Sequence, residues 1–316
     1  MGKVAKALVS AAALGAAVSG GATGYFYRRT MKRSQVDVER TMKMSGTDWG
    51  AYSDMLAERK AYFLDQPHED VYITSYDGLK LHAVYFPRGD EKKIVVCFHG
   101  YTSQCMSDYI ALSDYYMKHG FSMLLPDART HGQSEGDYVG FGCLDRWDGL
   151  EWLHWLIDRN GTDAKVLLHG TSMGGATVLM MSGQKLPEQV KGIVSDCGFT
   201  SPKEVFTHVL KTMYHLPAFP IIPLANLVNK KQAGYGMDEC NAKREVKKAK
   251  VPILFIHGTN DTFVPAYMCD ELYEACASPK KKFLVEGAAH AESYYKDTEG
   301  YEKALDELLS EIAIEA

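Results

Sequence analysis

The stretch Val-Leu-Leu-His-Gly-Thr-Ser-Met-Gly-Gly-Ala at positions 166–176 decides the fold. An apolar run that suits a strand enters a Gly-x-Ser-x-Gly turn, and the turn opens a segment that suits a helix as far as position 181. A serine at the apex of such a turn has a strained backbone, and the flanking glycines allow the neighbouring strand and helix to approach closely. The strand and helix on either side of the turn predict that Ser172 is a nucleophile, and the alternative is a serine in an ordinary glycine-rich turn.

A serine nucleophile needs a histidine that takes its proton and a carboxylate that orients the histidine. Both candidates lie downstream. His290 sits in a loop of small residues just after the strand-like run at 283–286, and Asp261 follows the apolar run at 253–257. We therefore predict a catalytic triad of Ser172, Asp261 and His290.

Other residues compete for these roles. Asp196 closes the strand-like run at 192–195 and is the alternative acid. His257, at the end of the run before Asp261, is expected to pack at a strand end, and His169, just before the turn, is expected to be a structural histidine with satisfied hydrogen bonds.

An oxyanion hole should complete the site, since N–H groups aimed at the developing negative charge supply much of the rate. One predicted donor is the backbone N–H of Met173, the residue after the nucleophile. The other is the backbone N–H of Tyr101, because the apolar run at 94–98 leads directly into His99-Gly100-Tyr101.

With these residues in place, the chain resembles serine hydrolases of the α/β-hydrolase superfamily, in particular the monoacylglycerol-lipase-like esterases and the serine aminopeptidase (S33) branch. Besides the turn around Ser172, the matching motifs are His-Gly-Tyr at 99–101, Asp-Ala-Arg-Thr-His-Gly-Gln-Ser at 127–134, His-Gly with Asp261 and Val-Pro at 257–265, and His290. Thr130 departs from the family, which usually has glycine there. The resemblance covers about residues 70–314 and implies the α/β-hydrolase fold and a triad mechanism.

The order of elements agrees with an α/β class. Asp-Gly at 77–78 joins two strand-like runs, which predicts an antiparallel hairpin at the start of the sheet. The later strands alternate with helices, and this alternation predicts a mostly parallel sheet with helices on both faces and catalytic groups at the carboxyl ends of the strands. The predicted strands are at 71–74, 79–86, 94–98, 121–125, 166–169, 193–196, 253–257 and 283–286.

More than fifty residues separate the sixth predicted strand from the seventh, which is too many for a bare connection. We predict a helical cap over the active site at about 199–248. Its apolar, proline-broken middle at 216–224 suits either a wall of an acyl pocket or packing of the cap onto the core.

The amino terminus differs from the rest. An uncharged run from 7 to 27 would form a helix of roughly 31 Å, close to the thickness of a bilayer. Tyr-Phe-Tyr at 25–27 and the two arginines after it resemble an interfacial aromatic belt. These features predict a membrane anchor or signal segment at 1–35, with membrane association through 7–27, and a soluble or peripheral helix is the remaining alternative. A helical linker at 36–69 and a catalytic domain at 70–316 follow. The charge balance around the run favours a cytoplasmic catalytic domain, with secretion as the alternative.

Composition limits the kinds of fold and partner that suit the chain. The chain has 316 residues, 46% of them hydrophobic, and a formal net charge of −5. This size suits one catalytic domain, and the negative charge argues against a nucleic-acid partner. The spacing of Cys and His predicts no metal, nothing in the sequence indicates a cofactor, and seven cysteines fit free thiols better than a disulfide framework.

Two enzyme functions and one non-enzyme function suit these residues. The first is a serine hydrolase that cleaves carboxylic esters of lipophilic or acyl substrates through an acyl-enzyme. The second is an aminopeptidase or amidase with the same triad, in which Asp238 and Glu239 of the cap could hold an ammonium group. A catalytically inactive scaffold is the third and least favoured function, because every position expected to be catalytic carries a suitable residue.

Overall fold

The centre of the protein is a single sheet of eight strands. The computed structural model describes residues 19–33, 45–89 and 91–314. The strands lie side by side in the order β1-β2-β4-β3-β5-β6-β7-β8. Their bounds are Glu69–Thr74 (β1), Lys80–Phe86 (β2), Lys93–Phe98 (β3), Ser122–Pro126 (β4), Lys165–Thr171 (β5), Val190–Asp196 (β6), Ile253–Gly258 (β7) and Lys280–Val285 (β8).

Pairing within the sheet confirms the predicted fold class. β1 and β2 form an antiparallel hairpin, β2 pairs antiparallel with β4, and the remaining neighbours are parallel. Because parallel strands run in one direction, the carboxyl ends of β3, β5, β6 and β7 meet at one edge of the sheet. The loops that leave these four ends carry every residue predicted for the site except His290, which follows β8.

Helices cover both faces of the sheet, and each face has its own apolar core. On one face the buried side chains include Trp152, Val178 and Met268, and on the other they include Phe63 and Leu305. The helices are Ser53–Asp65 (α1), Ser113–Lys118 (α2), Asp145–Asn160 (α3), Met173–Met181 (α4), Pro202–Thr212 (α5), Ala218–Gln232 (α6), Ala242–Glu245 (α7), Tyr267–Ala275 (α8), Ser293–Lys296 (α9) and Thr298–Glu311 (α10), preceded by a helix at 19–30.

The segment between β6 and β7 contains α5, α6 and α7. Helix α5 begins after Ser201, whose hydroxyl accepts a hydrogen bond from the N–H of Glu204 at 3.2 Å, and Pro202 occupies its first turn. Both features stabilise a helix start. The apolar middle at 216–224 is divided, because Ile221 and Ile222 are buried whereas Phe219 is 78% exposed.

The predicted membrane anchor is wrong. In the described part of the chain, no helix combines the length and the apolar character that a bilayer crossing requires. The helix at 19–30 packs on the protein instead: Phe26, Tyr27 and Met31 are buried in the same core as the cap helices. Of the three aromatic residues that resembled an interfacial belt, Phe26 and Tyr27 are therefore core residues, whereas Tyr25 is exposed. Positions 7–18 of the predicted span lie outside the described residues, and a single amino-terminal span with a cytoplasmic catalytic domain is not supported.

Backbone hydrogen bonds hold the end of this helix to the loop that follows β4. The N–H of Val139 donates to the carbonyl of Met31 at 2.8 Å, and the N–H of Arg33 donates to the carbonyl of Asp137, also at 2.8 Å. We call residues 19–33 the amino-terminal segment. Of the predicted linker at 36–69, the described part contains α1, which packs Phe63 onto the sheet.

Candidate active site

Ser172 lies at the turn between β5 and α4, in the strained backbone that the sequence predicts. Its φ of 55° and ψ of −111° lie in a region that residues other than glycine rarely adopt. Its N–H donates to the carbonyl of Asp196 at 2.8 Å, which fastens the turn to β6.

Two glycines make this turn possible. A Cβ on Gly170 would overlap with the carbonyl of Gly174, and a Cβ on Gly174 would overlap with the carbonyl of Phe98 at the end of β3. Only glycine fits at both positions, because the turn is pressed between its own helix and the neighbouring strand.

The structure brings together the three residues that were predicted as a triad. His290 Nε2 lies 2.9 Å from Ser172 Oγ, and His290 Nδ1 lies 2.7 Å from Asp261 Oδ2. An ionised carboxylate can only accept a hydrogen bond, so Nδ1 carries the hydrogen and Nε2 presents its lone pair to the serine hydroxyl. The three side chains therefore form one continuous hydrogen-bonded chain.

The loop after β7 holds Asp261 in its ionised form. Asp261 Oδ1 accepts hydrogen bonds from the N–H groups of Phe263 at 2.9 Å and Val264 at 2.8 Å. Burial opposes ionisation of this carboxyl, but His290 and His257 outweigh it, and the pKa of Asp261 lies well below its usual range. The site thus keeps a negative charge behind His290.

The loop after β3 places Tyr101 beside the serine. A Cβ on Gly100 would lie 3.4 Å from Ser172 Cβ, so the backbone of this loop touches the nucleophile. The loop is fixed because the N–H of Gly100 donates to Asp108 Oδ2 at 2.6 Å. Met173 is the first residue of α4, and the first N–H groups of a helix have no acceptor within the helix. These are the two residues whose N–H groups are predicted to form the oxyanion hole.

The loop after β4, at 127–134, helps to fix the loops around the nucleophile. Asp127 binds His82 Nδ1 on β2 at 2.7 Å and the N–H of Cys105 at 2.9 Å, which ties the loops after β3 and β4 to the sheet. Thr130, where the family usually has glycine, has a φ of 71°. The backbone therefore keeps the left-handed conformation that favours glycine, although threonine occupies the position.

The competing residues have other partners. Asp196 Oδ2 accepts a hydrogen bond from Tyr301 at 3.1 Å, and burial raises the pKa of Asp196 to about 6. His169 is buried between Tyr116 at 2.7 Å and Tyr301 at 3.1 Å, and burial lowers its pKa to about 3. The geometry favours Asp261 as the acid and gives His169 a structural environment.

Aromatic side chains adjoin the site. The Phe263 ring lies 5.0 Å from the His290 ring, and the Tyr101 ring lies 5.1 Å from Phe141. Phe141 contacts Phe206 of α5 at 4.8 Å between ring centroids, and Phe206 contacts Phe26 of the amino-terminal segment at 5.7 Å. An apolar row thus leads from the loop after β3 to the amino-terminal segment.

The amino-terminal segment also bonds directly to Tyr101. The Tyr101 hydroxyl donates to the carbonyl of Arg29 at 3.1 Å. Sequence reasoning missed this contact, because it treated residues 1–35 as separate from the catalytic domain. One feature of the sequence does indicate this packing. Phe26, Tyr27 and Met31, which lies four residues after Tyr27, put apolar side chains on one face of a helix.

Within the described part of the chain, two groups of side chains have spacings that could hold a metal ion. They are His82 with Cys105 and Asp127, and Cys197 with Asp261 and His290. In both groups the carboxylate and the histidine already hydrogen-bond to each other. The second group includes the predicted acid and base themselves.

The chain was compared with known proteins. Residues 93–219 match the family model described as the alpha/beta hydrolase fold. The uncharacterised protein YqkD of Bacillus subtilis is 29% identical over 223 residues, which cover 71% of this chain and 72% of YqkD. The uncharacterised protein YfhR of Escherichia coli K12 is 24% identical over 233 residues, covering 72% of this chain and 74% of YfhR.

Solved structures give the same fold. The esterase Pf2001 of Pyrococcus furiosus superposes with a TM-score of 0.66 at 22% identity, covering 79% of this chain and 93% of Pf2001. Est1E of Butyrivibrio proteoclasticus, solved with ferulic acid, superposes with a TM-score of 0.61 at 19% identity, covering 78% of this chain and all of Est1E. The chain therefore has the α/β-hydrolase fold, and its residues 93–219 are similar to the family of that name. The resemblance to the S33 branch in particular stays a prediction.

Proposed function

We propose that the protein is a serine hydrolase that cleaves carboxylic esters through an acyl-enzyme. The observation that carries the proposal is the hydrogen-bonded chain from Ser172 Oγ through His290 to Asp261. All three residues are at most 7% exposed, so their hydrogen bonds act where water screens them little.

Acylation begins when His290 Nε2 takes the proton of the Ser172 hydroxyl and Oγ attacks the carbonyl carbon of the ester. The carbonyl oxygen becomes an oxyanion, and the N–H groups of Tyr101 and Met173 stabilise it. Asp261 stabilises the imidazolium that forms at the same moment. The tetrahedral intermediate then collapses, and the leaving alkoxide takes its proton from His290.

Deacylation repeats these steps with water as the nucleophile. His290 Nε2 takes a proton from the water, the resulting hydroxide attacks the acyl carbonyl, and the second intermediate releases the carboxylic acid. Ser172 Oγ recovers its proton from His290. The enzyme returns to its starting state, and no cofactor takes part in either half of the reaction.

The surroundings of the site favour an ester with an apolar part. Phe263 packs against His290, and Tyr101 begins the aromatic row that ends at Phe26. Pf2001 is called an esterase and Est1E is solved with an aromatic acid, which is consistent with this class. An apolar wall stabilises an acyl or aromatic group without a charged partner.

The aminopeptidase alternative has less support. It needs a carboxylate near the site to hold the free amino terminus of a peptide. Asp238 accepts a hydrogen bond from Asn241 at 3.2 Å, and Glu239 accepts one from the N–H of Gly236 at 2.9 Å. Both acids are engaged within the connection between α6 and α7.

A panel of p-nitrophenyl esters of rising chain length, assayed beside aminoacyl p-nitroanilides, tests the proposal. We expect hydrolysis of the esters and none of the anilides. Ser172→Ala should lower kcat by at least about 10⁴-fold, because the members of a triad act as a unit. Ser182→Ala is the matched control, since Ser182 caps the far end of α4 and its hydroxyl donates to the carbonyl of Leu179 at 2.6 Å. Ester turnover that survives in Ser172→Ala would overturn the proposal, and faster cleavage of the anilides would favour the aminopeptidase.

A further inference from the structure

Two histidines converge on one oxygen of Asp261. His290 Nδ1 lies 2.7 Å from Asp261 Oδ2, and His257 Nε2 lies 3.3 Å from the same atom. The mechanism above uses only the first of these contacts. His257 was expected to do no more than pack at a strand end.

His257 also closes the loop that carries the acid. It lies in β7, and its Nε2 is 2.7 Å from the carbonyl oxygen of Val264. A carbonyl and a carboxylate both accept hydrogen bonds, so Nε2 must carry a hydrogen, which it donates to Val264 while it lies 3.3 Å from Asp261 Oδ2. The ring is completely buried, and its Nδ1 has no hydrogen-bond partner among the described residues.

We propose that His257 is a positioning residue for the reaction: its Nε2–H holds Asp261 Oδ2 in line with His290 and reduces the negative charge that His290 experiences. This inference rests on the proposed function. It adds to the triad a fourth side chain that contacts neither substrate nor nucleophile.

The sign of the electrostatic effect follows from the shared oxygen. Burial disfavours a charged His257 ring, but Asp261 outweighs burial and raises the pKa of His257 to about 10. Asp196 at the end of β6, Cys197 after it and Cys269 on α8 also face this cluster. If the His257 donor is removed, Asp261 stabilises protonated His290 more strongly, so the acid limb of the kcat/KM profile should move to higher pH.

The size of the effect follows from the two distances to the shared oxygen. His290 Nδ1 and His257 Nε2 lie 2.7 and 3.3 Å from it, so they are separated by at most about 6 Å, and two unit charges about 6 Å apart change a protonation equilibrium by about two pH units at an effective dielectric constant of 20. A neutral His257 that still presents its Nε2–H produces a smaller shift of the same sign. The base must be unprotonated to act, so the acid limb of the kcat/KM profile moves with this interaction.

The experiment measures kcat, KM and the pH profile of kcat/KM for p-nitrophenyl acetate with His257→Leu and His257→Gln in the full-length chain. Leucine removes the donor, whereas glutamine retains an N–H near the position of Nε2 and carries no charge. We expect His257→Leu to lower kcat by about 10- to 100-fold with little change in KM, since a misplaced acid acts on the transition state. The acid limb should move to higher pH by up to about two units. His257→Gln should recover most of kcat with a limb that is still displaced.

His169→Leu is the matched control. His169 is also completely buried at the end of a strand, but its partners are Tyr116 and Tyr301. This variant should lose thermal stability without moving the acid limb. An unmoved limb in both His257 variants would overturn the proposal, and so would losses of kcat that track the melting temperature equally in leucine and glutamine variants.

Two checks keep the test decisive. If His257→Leu does not fold, the position of the acid limb in His257→Gln decides the question. Glutamine keeps the contact with the loop but lacks the charge of the imidazole ring. Failure of the proposed function has a different signature, namely ester turnover in Ser172→Ala. Wild-type turnover that requires Ser172, combined with an unmoved limb in the His257 variants, rejects only the role of His257.

Discussion

Phe26 tests whether the amino-terminal segment belongs to the catalytic core. Its side chain is 4% exposed and contacts two rings edge-on, Phe206 at 5.7 Å and Tyr214 at 6.4 Å between centroids. Replacing a buried phenylalanine with alanine costs about 3–5 kcal/mol, which includes both the lost transfer energy and the cavity that remains. We expect Phe26→Ala to lower the free energy of unfolding by about 3 kcal/mol, which is the lower end of this range. The helix that carries Phe26 can relax into the cavity that the substitution leaves.

Tyr25 gives a control of the same kind at the adjacent position. It is 59% exposed, so Tyr25→Ala should change the free energy of unfolding by no more than about 0.5 kcal/mol. A helix that crossed a membrane or extended into solvent would make the two substitutions equivalent.

The assay is urea unfolding of the full-length chain, followed by circular dichroism and tryptophan fluorescence. A loss of about 3 kcal/mol is a large part of the 5–15 kcal/mol that stabilises a typical domain, so the midpoint should shift clearly. Equal midpoints for Phe26→Ala, Tyr25→Ala and the unsubstituted chain would refute the packing of this segment on the core.

Four further substitutions test the site. Asp261→Asn should lower kcat by about 10⁴-fold with KM little changed, whereas Asp196→Asn should be mild; the reverse ranking would move the acid to β6. Gly174→Ala should abolish both folding and activity, because its Cβ would overlap with the carbonyl of Phe98, and a stable, active variant would contradict this packing. Burial opposes ionisation of Asp127, but its bond to a histidine and two backbone N–H groups holds its pKa below the ordinary 3.8, so it contributes stability at neutral pH that is lost as the pH falls through the lowered value. Unfolding curves of Asp127→Asn should therefore approach those of the unsubstituted chain in acid, and a gap that widens there would contradict the assignment.

The sheet and the turn around Ser172 could be predicted because their signals are local. Alternating apolar runs fix strands and helices, and Gly-x-Ser-x-Gly has one steric solution between a strand and a helix. The eight strands appear in the predicted order. The last strand was expected at 283–286 but spans Lys280–Val285, because three lysines of an edge strand keep their ammonium groups outside while the backbone pairs with β7.

The remaining features depend on contacts between distant parts of the chain. Phe26 and Tyr27 suit a membrane interface and a protein core equally well, and the choice depends on Phe206 and Tyr138, which lie far away in the sequence. The second contact of Asp261 with His257 was hidden for a related reason. An imidazole four residues before an acid in a loop has no fixed distance to it until the backbone is known.

The most direct test of the account identifies the residue that reacts. The full-length chain is treated with a fluorophosphonate at neutral pH, digested, and mapped by mass spectrometry. We predict one adduct per chain, located on Ser172, because its hydroxyl bonds to a histidine that Asp261 orients. The adduct should disappear in His290→Ala, which leaves the serine without a base. An adduct on another residue, or none in a chain that hydrolyses esters, would contradict the central claim.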